Sequence, residues 1–170
     1  MPGFLTWIVA VLLMLLESTL LAAFGVENLC LQTALGVTFY LALERDFVPG
    51  AATLAALLLP IEWLVAGVPG YYALGLVTVF LLLRLVRGSI QGGWSVARFL
   101  LAVVAAMLHA ITMVVALLVS DPSSPVVGAV LWQILPASLT AAVGCLLVGR
   151  LFARLDAAMA PRQRGLLDGI

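Results

Sequence analysis

Residues 29–66 read LCLQTALGVTFYLALERDFVPGAATLAALLLPIEWLVA, two apolar runs separated by the charged triplet Glu44-Arg45-Asp46. Neither run alternates at period two, so each predicts a helix, and the triplet predicts a tight turn between them. A membrane span takes about 20 apolar residues. The run at 47–66 is therefore long enough to cross a bilayer, whereas the run at 29–43 is short for a span. The stretch predicts a helical hairpin in a membrane.

The whole chain shares the apolar character of this hairpin. It has 170 residues, of which 65% are hydrophobic and 9% charged, and its mean hydropathy is +1.25. A soluble domain of this size cannot bury so much apolar surface, whereas the hydrocarbon of a bilayer accepts it. The formal net charge is zero, so there is no global basic field for nucleic acid. We expect a protein that contacts the lipid bilayer and no nucleic acid.

Six apolar runs in all predict helices, and turn residues or charges separate them. The predicted helices are residues 4–24, 29–43, 47–66, 71–87, 96–119 and 126–152. Spanning segments must satisfy their backbone polar groups internally, so the predicted fold class is all-α, a polytopic membrane protein with a six-transmembrane-helix bundle. The predicted domains are a transmembrane domain at residues 1–152 and a cytoplasmic tail at 153–170.

All eight basic side chains are arginines, and six spans place every one of them on the same side of the membrane. Arginine near the ends of spanning helices is retained on the cytoplasmic side during insertion. Five or seven spans would lose this separation. We therefore predict cytoplasmic N- and C-termini. The topology determinants are Arg45, Arg84, Arg87, Arg98, Arg150 and Arg154, with Arg162 and Arg164 in the tail.

Three ionisable side chains lie inside predicted spans, namely Glu17, Glu62 and His109. Such groups are costly in hydrocarbon and are candidates for function. Together with Gln32 and Gln133 they are predicted to converge on a polar pocket or partner contact that opens to the outer side. Alternatively, the two glutamates reach the outer interface, and His109 is neutral and hydrogen-bonded to a neighbouring helix. Pro60 is expected to free a backbone carbonyl near Glu62.

The sequence carries no signature of an enzyme, a metal site or a cofactor site. Cys30 and Cys145 lie in apolar runs, and with a single histidine they do not have the spacing of metal ligands. Gly92-Gly93 lacks the lysine and serine that follow the glycines of a phosphate-binding loop. We predict buried thiols, no cofactor and no catalytic activity.

Small residues recur at four-residue spacing on the fifth predicted helix. Ala102, Ala106 and Ala110 form a helix-packing seam, because small side chains on one face let a second helix approach closely. The third and sixth predicted helices carry similar alanine pairs. These faces serve either internal packing or an intermolecular contact.

The segment at residues 29–87 resembles the MreD family, the rod shape-determining membrane proteins of bacteria, in the order of its features. These are the charged turn Glu44-Arg45-Asp46, the step Pro49-Gly50, the acidic Glu62, the turn Gly67-Val68-Pro69-Gly70, the run Tyr72-Ala73-Leu74-Gly75, and a helix closed by Arg84 and Arg87. The family's acidic position is usually aspartate, whereas this chain has glutamate.

The resemblance implies a non-catalytic component of the bacterial cell-elongation machinery, which governs rod shape and peptidoglycan synthesis. It implies binding to an MreC-like single-span membrane protein through transmembrane helix packing. It also implies association with RodA and its penicillin-binding transpeptidase, directly or indirectly. The expected location is the bacterial inner (plasma) membrane, as a multi-pass protein.

A second interpretation is the substrate-binding S-component of an energy-coupling-factor vitamin transporter. Such subunits have a similar length and six helices, and they bind a small molecule in the outer half of the membrane. The five polar residues of the predicted pocket suit this function. The first helix, however, lacks the alanine-x-x-x-alanine seam by which such subunits dock, because Ala10 is followed four residues later by Met14.

Overall fold

The computed structural model describes residues 2–23, 32–64, 70–89, 96–120 and 126–159. Within these ranges the protein is all-α, which confirms the predicted class at this level. Four of the helices begin at the residue that the sequence predicts. The helices are α1 (Gly3–Ala23), α2 (Gln32–Glu44), α3 (Phe47–Leu64), α4 (Tyr71–Val86), α5 (Val96–Ser120) and α6 (Val126–Met159), with a 3-10 turn at Arg87–Ser89 after α4.

The shortest helix, α2, occupies the centre of the bundle. Every residue from Thr33 to Leu43 is buried, and α2 packs against all five other helices, most extensively against α6 and α4. Its 13 residues rise only about 20 Å, less than the ~30 Å of bilayer hydrocarbon. A helix that is apolar on every side suits such a buried place. Protein, and not lipid, therefore surrounds most of α2.

The close approach of α2 and α6 depends on Gly36. A Cβ at this position would lie 2.8 Å from the Cβ of Val148 and 3.2 Å from the Cα of Cys145. Cys145 is buried with a free thiol, as predicted, and Cys30 lies outside the described residues. Glycine therefore lets the two backbones meet where any larger residue would separate them.

Two helical hairpins, α1–α2 and α3–α4, lie side by side in the same direction. α1 packs along α3, and α2 packs along α4. The start of α1 lies beside the second turn of α3, since a Cβ on Gly3 would lie 3.1 Å from Oγ1 of Thr53. The ends of α2 and α4 are also together, since the guanidinium of Arg87 donates to the carbonyl of Arg45. Corresponding helices of the two hairpins are therefore parallel.

Pro60 lies inside α3 without ending the helix. Proline has no backbone N–H, so the carbonyl of Ala56, four residues earlier, has no helical donor. Trp7 on α1 donates its indole N–H to this oxygen over 3.0 Å. An unpaired carbonyl in hydrocarbon costs several kcal/mol. The indole hydrogen bond removes this cost, and it joins α1 to α3 at the point where α3 lacks one backbone hydrogen bond.

Four helices contain segments that are long and apolar enough to cross a membrane. These segments are Gly3–Leu20, Phe47–Leu64, Val96–Ser120 and Ile134–Met159, and the apolar helices Thr33–Glu44 and Tyr71–Val86 are shorter. α6 continues to Met159, past its predicted end at residue 152. The added turns stay helical because Phe152 is fully buried and Asp156 accepts a hydrogen bond from Tyr40 of α2. Residues 160–170 of the predicted tail lie outside the described part of the chain.

Candidate functional site

Glu17, in the last two turns of α1, contacts the amino end of α2. Its Oε2 accepts a hydrogen bond from the backbone N–H of Thr33 over 3.0 Å. The first N–H groups of a helix have no partner within the helix and carry partial positive charge, so a carboxylate is favourable there. Glu17 therefore stabilises the start of the helix that follows its own.

Glu62, near the end of α3, acts in the same way on the amino end of α4. Its Oε2 accepts from the N–H of Gly70 over 2.8 Å, and its Oε1 accepts from the N–H of Ala73 over 2.9 Å. Gly70 precedes α4 with a φ of 93°, in the left-handed region that favours glycine, and it has no side chain to cap the helix. The carboxylate of Glu62 therefore supplies the cap that Gly70 cannot.

His109 lies in the packed interface between α5 and α4. The side chain is buried, and its ring meets the ring of Tyr72 edge-on with centroids 4.7 Å apart. A Cβ on Gly75 would lie 2.8 Å from Cε1 of His109, so the imidazole fills the notch that glycine leaves. Among the described residues, neither ring nitrogen has a hydrogen-bond partner. His109 therefore packs against a neighbouring helix, and its hydrogen bond to that helix stays a prediction.

The structure describes the side chains of only three of the five residues of the predicted pocket. Gln32 begins α2 and Gln133 lies in α6, but the side chains of both are outside the described residues. The two glutamates bind the amino ends of different helices, and His109 packs against α4. Whether the five polar residues share one pocket stays a prediction.

A cluster of charged and polar groups joins the carboxyl ends of α2 and α6. Nη2 of Arg45 lies 3.0 Å from Oδ1 of Asp156, and the hydroxyl of Tyr40 donates to Oδ2 over 3.2 Å. The ring of Tyr40 also packs on Phe152 with centroids 5.4 Å apart. Tyr40 is buried whereas Arg45 and Asp156 are partly exposed, and the hydrogen bonds among the three hold α6 against α2.

The start of α5 meets the same end of the bundle. Nη1 of Arg98 donates to Oε1 of Glu44, at the end of α2, over 2.9 Å. Arg87 reaches the carbonyl of Arg45 there as well. The carboxyl ends of α2, α4 and α6 and the amino ends of α3 and α5 therefore meet at this end. We call it the arginine end, and the described arginines that belong to it are Arg45, Arg84, Arg87, Arg98, Arg150 and Arg154.

Arg84 has a different environment at the arginine end. Its guanidinium carbon lies 5.8 Å from the ring centroid of Phe47 and 5.5 Å from that of Phe80. Its Nε and Nη2 atoms are enclosed and have no hydrogen-bond partner among the described residues. A guanidinium stacks favourably on aromatic faces, so the two rings fix its position.

The predicted alanine seam on α5 faces the inside of the bundle. Ala102 and Ala106 are buried, as is the neighbouring Ala105, and Ala110 is half-buried. Of the two uses left open by the sequence, the structure therefore supports internal packing for this seam. On α3, in contrast, Ala52, Ala55 and Ala56 are exposed.

Several partners could not be read from the sequence. The acidic residues were recognisable because ionisable groups are rare within spans, but their backbone partners were not. The pairing of Asp156 with Arg45 and Tyr40 was missed, because Asp156 lies in a stretch predicted to be a polar tail. A signal was present in the order Arg154-Leu155-Asp156, which continues the helical spacing of Phe152 by one turn.

Among the described residues, no group of three or more His, Cys, Asp or Glu side chains is placed to hold a metal ion. Comparison of the chain with protein-family models, with curated proteins and with solved structures finds no match. The geometry of the bundle and the order of its motifs are therefore the basis for a functional proposal.

Proposed function

We propose that the protein is a non-catalytic membrane component of the bacterial cell-elongation machinery, of the kind that MreD proteins form. It crosses the inner membrane six times, with both ends in the cytoplasm. It binds an MreC-like single-span protein through helix packing and acts on RodA and its penicillin-binding transpeptidase, directly or through that partner. The resemblance at residues 29–87 motivates this assignment.

The observation that carries the proposal is the mutual contact of motif residues within that segment. Glu62 on α3 binds the start of α4 at Gly70 and Ala73. Arg87, after α4, returns to the carbonyl of Arg45 at the turn between α2 and α3. Residues far apart in the segment are thus direct partners, which supports treating their order as one motif and not as a coincidence of composition.

The positions of the helix ends support the six-span topology that we propose. The start of α1 lies beside the second turn of α3, and Asp156 near the end of α6 is bound by Tyr40 near the end of α2. Both ends of the described chain therefore lie at the arginine end. Because arginine is retained on the cytoplasmic side, this end faces the cytoplasm.

We assign the partner helix to the outer face of α3. Ala52, Ala55 and Ala56 are exposed on this face, and Leu59 and Trp63 continue it with 71% and 92% of their surface exposed. Association in lipid depends on close van der Waals packing, which small side chains allow. A single-span helix can therefore lie along α3 without displacing any helix of the bundle.

Regulation of the synthase requires that the contact free energy differ between its active and inactive states. A bound protein shifts the synthase toward its active state only if it binds that state more tightly than the inactive one. Such coupling is typically about 1–3 kcal/mol between two sites. Packing of the MreC-like helix on α3 would supply this difference by fixing the orientation of the partner.

The geometry favours this function over vitamin binding. In the transporter interpretation, Glu17 and Glu62 would be free to contact a substrate. Their carboxylate oxygens instead accept hydrogen bonds from the backbone at the starts of α2 and α4. A substrate would have to compete with these bonds.

Affinity purification of the tagged full-length chain from native membranes tests the proposal. We expect an MreC-like single-span protein, together with RodA, to co-purify in mild detergent. The variant Ala55→Leu should lower recovery of the partner about tenfold, because overpacking of the α3 face costs ~1–3 kcal/mol. Ala137→Leu, at an exposed alanine of α6, is the matched control and should leave recovery unchanged.

Two outcomes would contradict the proposal. One is recovery of an ATPase module with a bound vitamin, which would favour the transporter subunit. The other is equal recovery of the partner with Ala55→Leu and with the unmodified chain, which would remove the α3 face from the interface.

A further inference from the structure

We draw no further inference here: the strongest candidate, the surface patch that the stacked Phe4 and Trp7 side chains form on α1, adjoins the face of α3 already described, and nothing in the described part of the structure shows what covers it.

Discussion

At the scale of single residues, the contact between Trp7 and Ala56 shows how a spanning helix tolerates proline. Pro60 removes one donor from α3, and the indole of α1 supplies another to the carbonyl left without one. The freed carbonyl could be predicted from the sequence, because it lies four residues before every internal proline. Its partner could not, because nothing in the composition of α1 indicates which side chain lies beside Ala56.

Replacing the indole tests this account. We expect Trp7→Phe to lower the free energy of unfolding by about 1 kcal/mol, since it leaves a carbonyl unpaired. In a Pro60→Ala background the helical N–H returns, so the cost of Trp7→Phe should largely disappear. Trp63→Phe, at a tryptophan that is 92% exposed, is the control. Thermal unfolding in detergent compares the unmodified chain, the two single variants, the double variant and the control, and equal costs of Trp7→Phe in both backgrounds would refute the pairing.

At the scale of elements, the same kind of capping contact stabilises both hairpins. In each, a glutamate near the end of the first helix binds the amino end of the second. The sequence identified Glu17 and Glu62 as exceptional, because charges inside spans are rare. It did not identify their partners, because backbone N–H groups leave no mark in a sequence. The glutamates are therefore explained by helix capping before any ligand is invoked.

The α3–α4 hairpin gives a graded test at Glu62. We expect Glu62→Ala to destabilise the protein by about 1–2 kcal/mol, since two N–H groups lose their acceptor. Glu62→Gln keeps one acceptor oxygen and loses the charge, so its cost should be smaller. Membrane insertion should be normal in both. If thermal unfolding in detergent shows Glu62→Ala to be as stable as the unmodified chain, the cap does not contribute to the free energy of unfolding.

The α4–α5 interface gives a second test at element scale. Gly75→Ala should destabilise the protein by about 1–3 kcal/mol, because the added methyl overlaps the ring of His109. Adding His109→Ala should recover part of the loss by removing that ring. Gly88→Ala is the control, since nothing lies within 4 Å of a Cβ there. If the unfolding temperature does not recover in the double variant, overlap with the His109 ring is not the cause of the destabilisation.

At the scale of the whole molecule, the number and order of helices followed from hydropathy and turn residues, whereas their arrangement did not. Lipid and protein interior are equally apolar, so a sequence cannot separate a helix in the centre from one at the edge. α2 illustrates this, since its 13 residues are apolar and short but give no indication of a central position. The alanine seams illustrate it too, because that of α5 is buried and that of α3 is exposed.

Topology is testable for the whole chain by labelling single cysteines in a background that lacks Cys30 and Cys145. We expect Ser123→Cys to react with a membrane-impermeant maleimide in intact spheroplasts. Pro2→Cys and Ala158→Cys should react only after permeabilisation, because the topology that we propose places both ends on the cytoplasmic side. An inward-facing position 123, or labelling of the two ends from opposite sides, would overturn the six-span arrangement.

The central place of α2 has a consequence for biosynthesis. The ribosome completes α2 early, yet two of its principal neighbours, α4 and α6, emerge later, and α6 comes last. Until α6 emerges, α2 lacks the helix against which it packs most extensively, so we expect it to be incompletely surrounded by protein. Nascent chains truncated before α6 should therefore be substrates for membrane quality-control proteases.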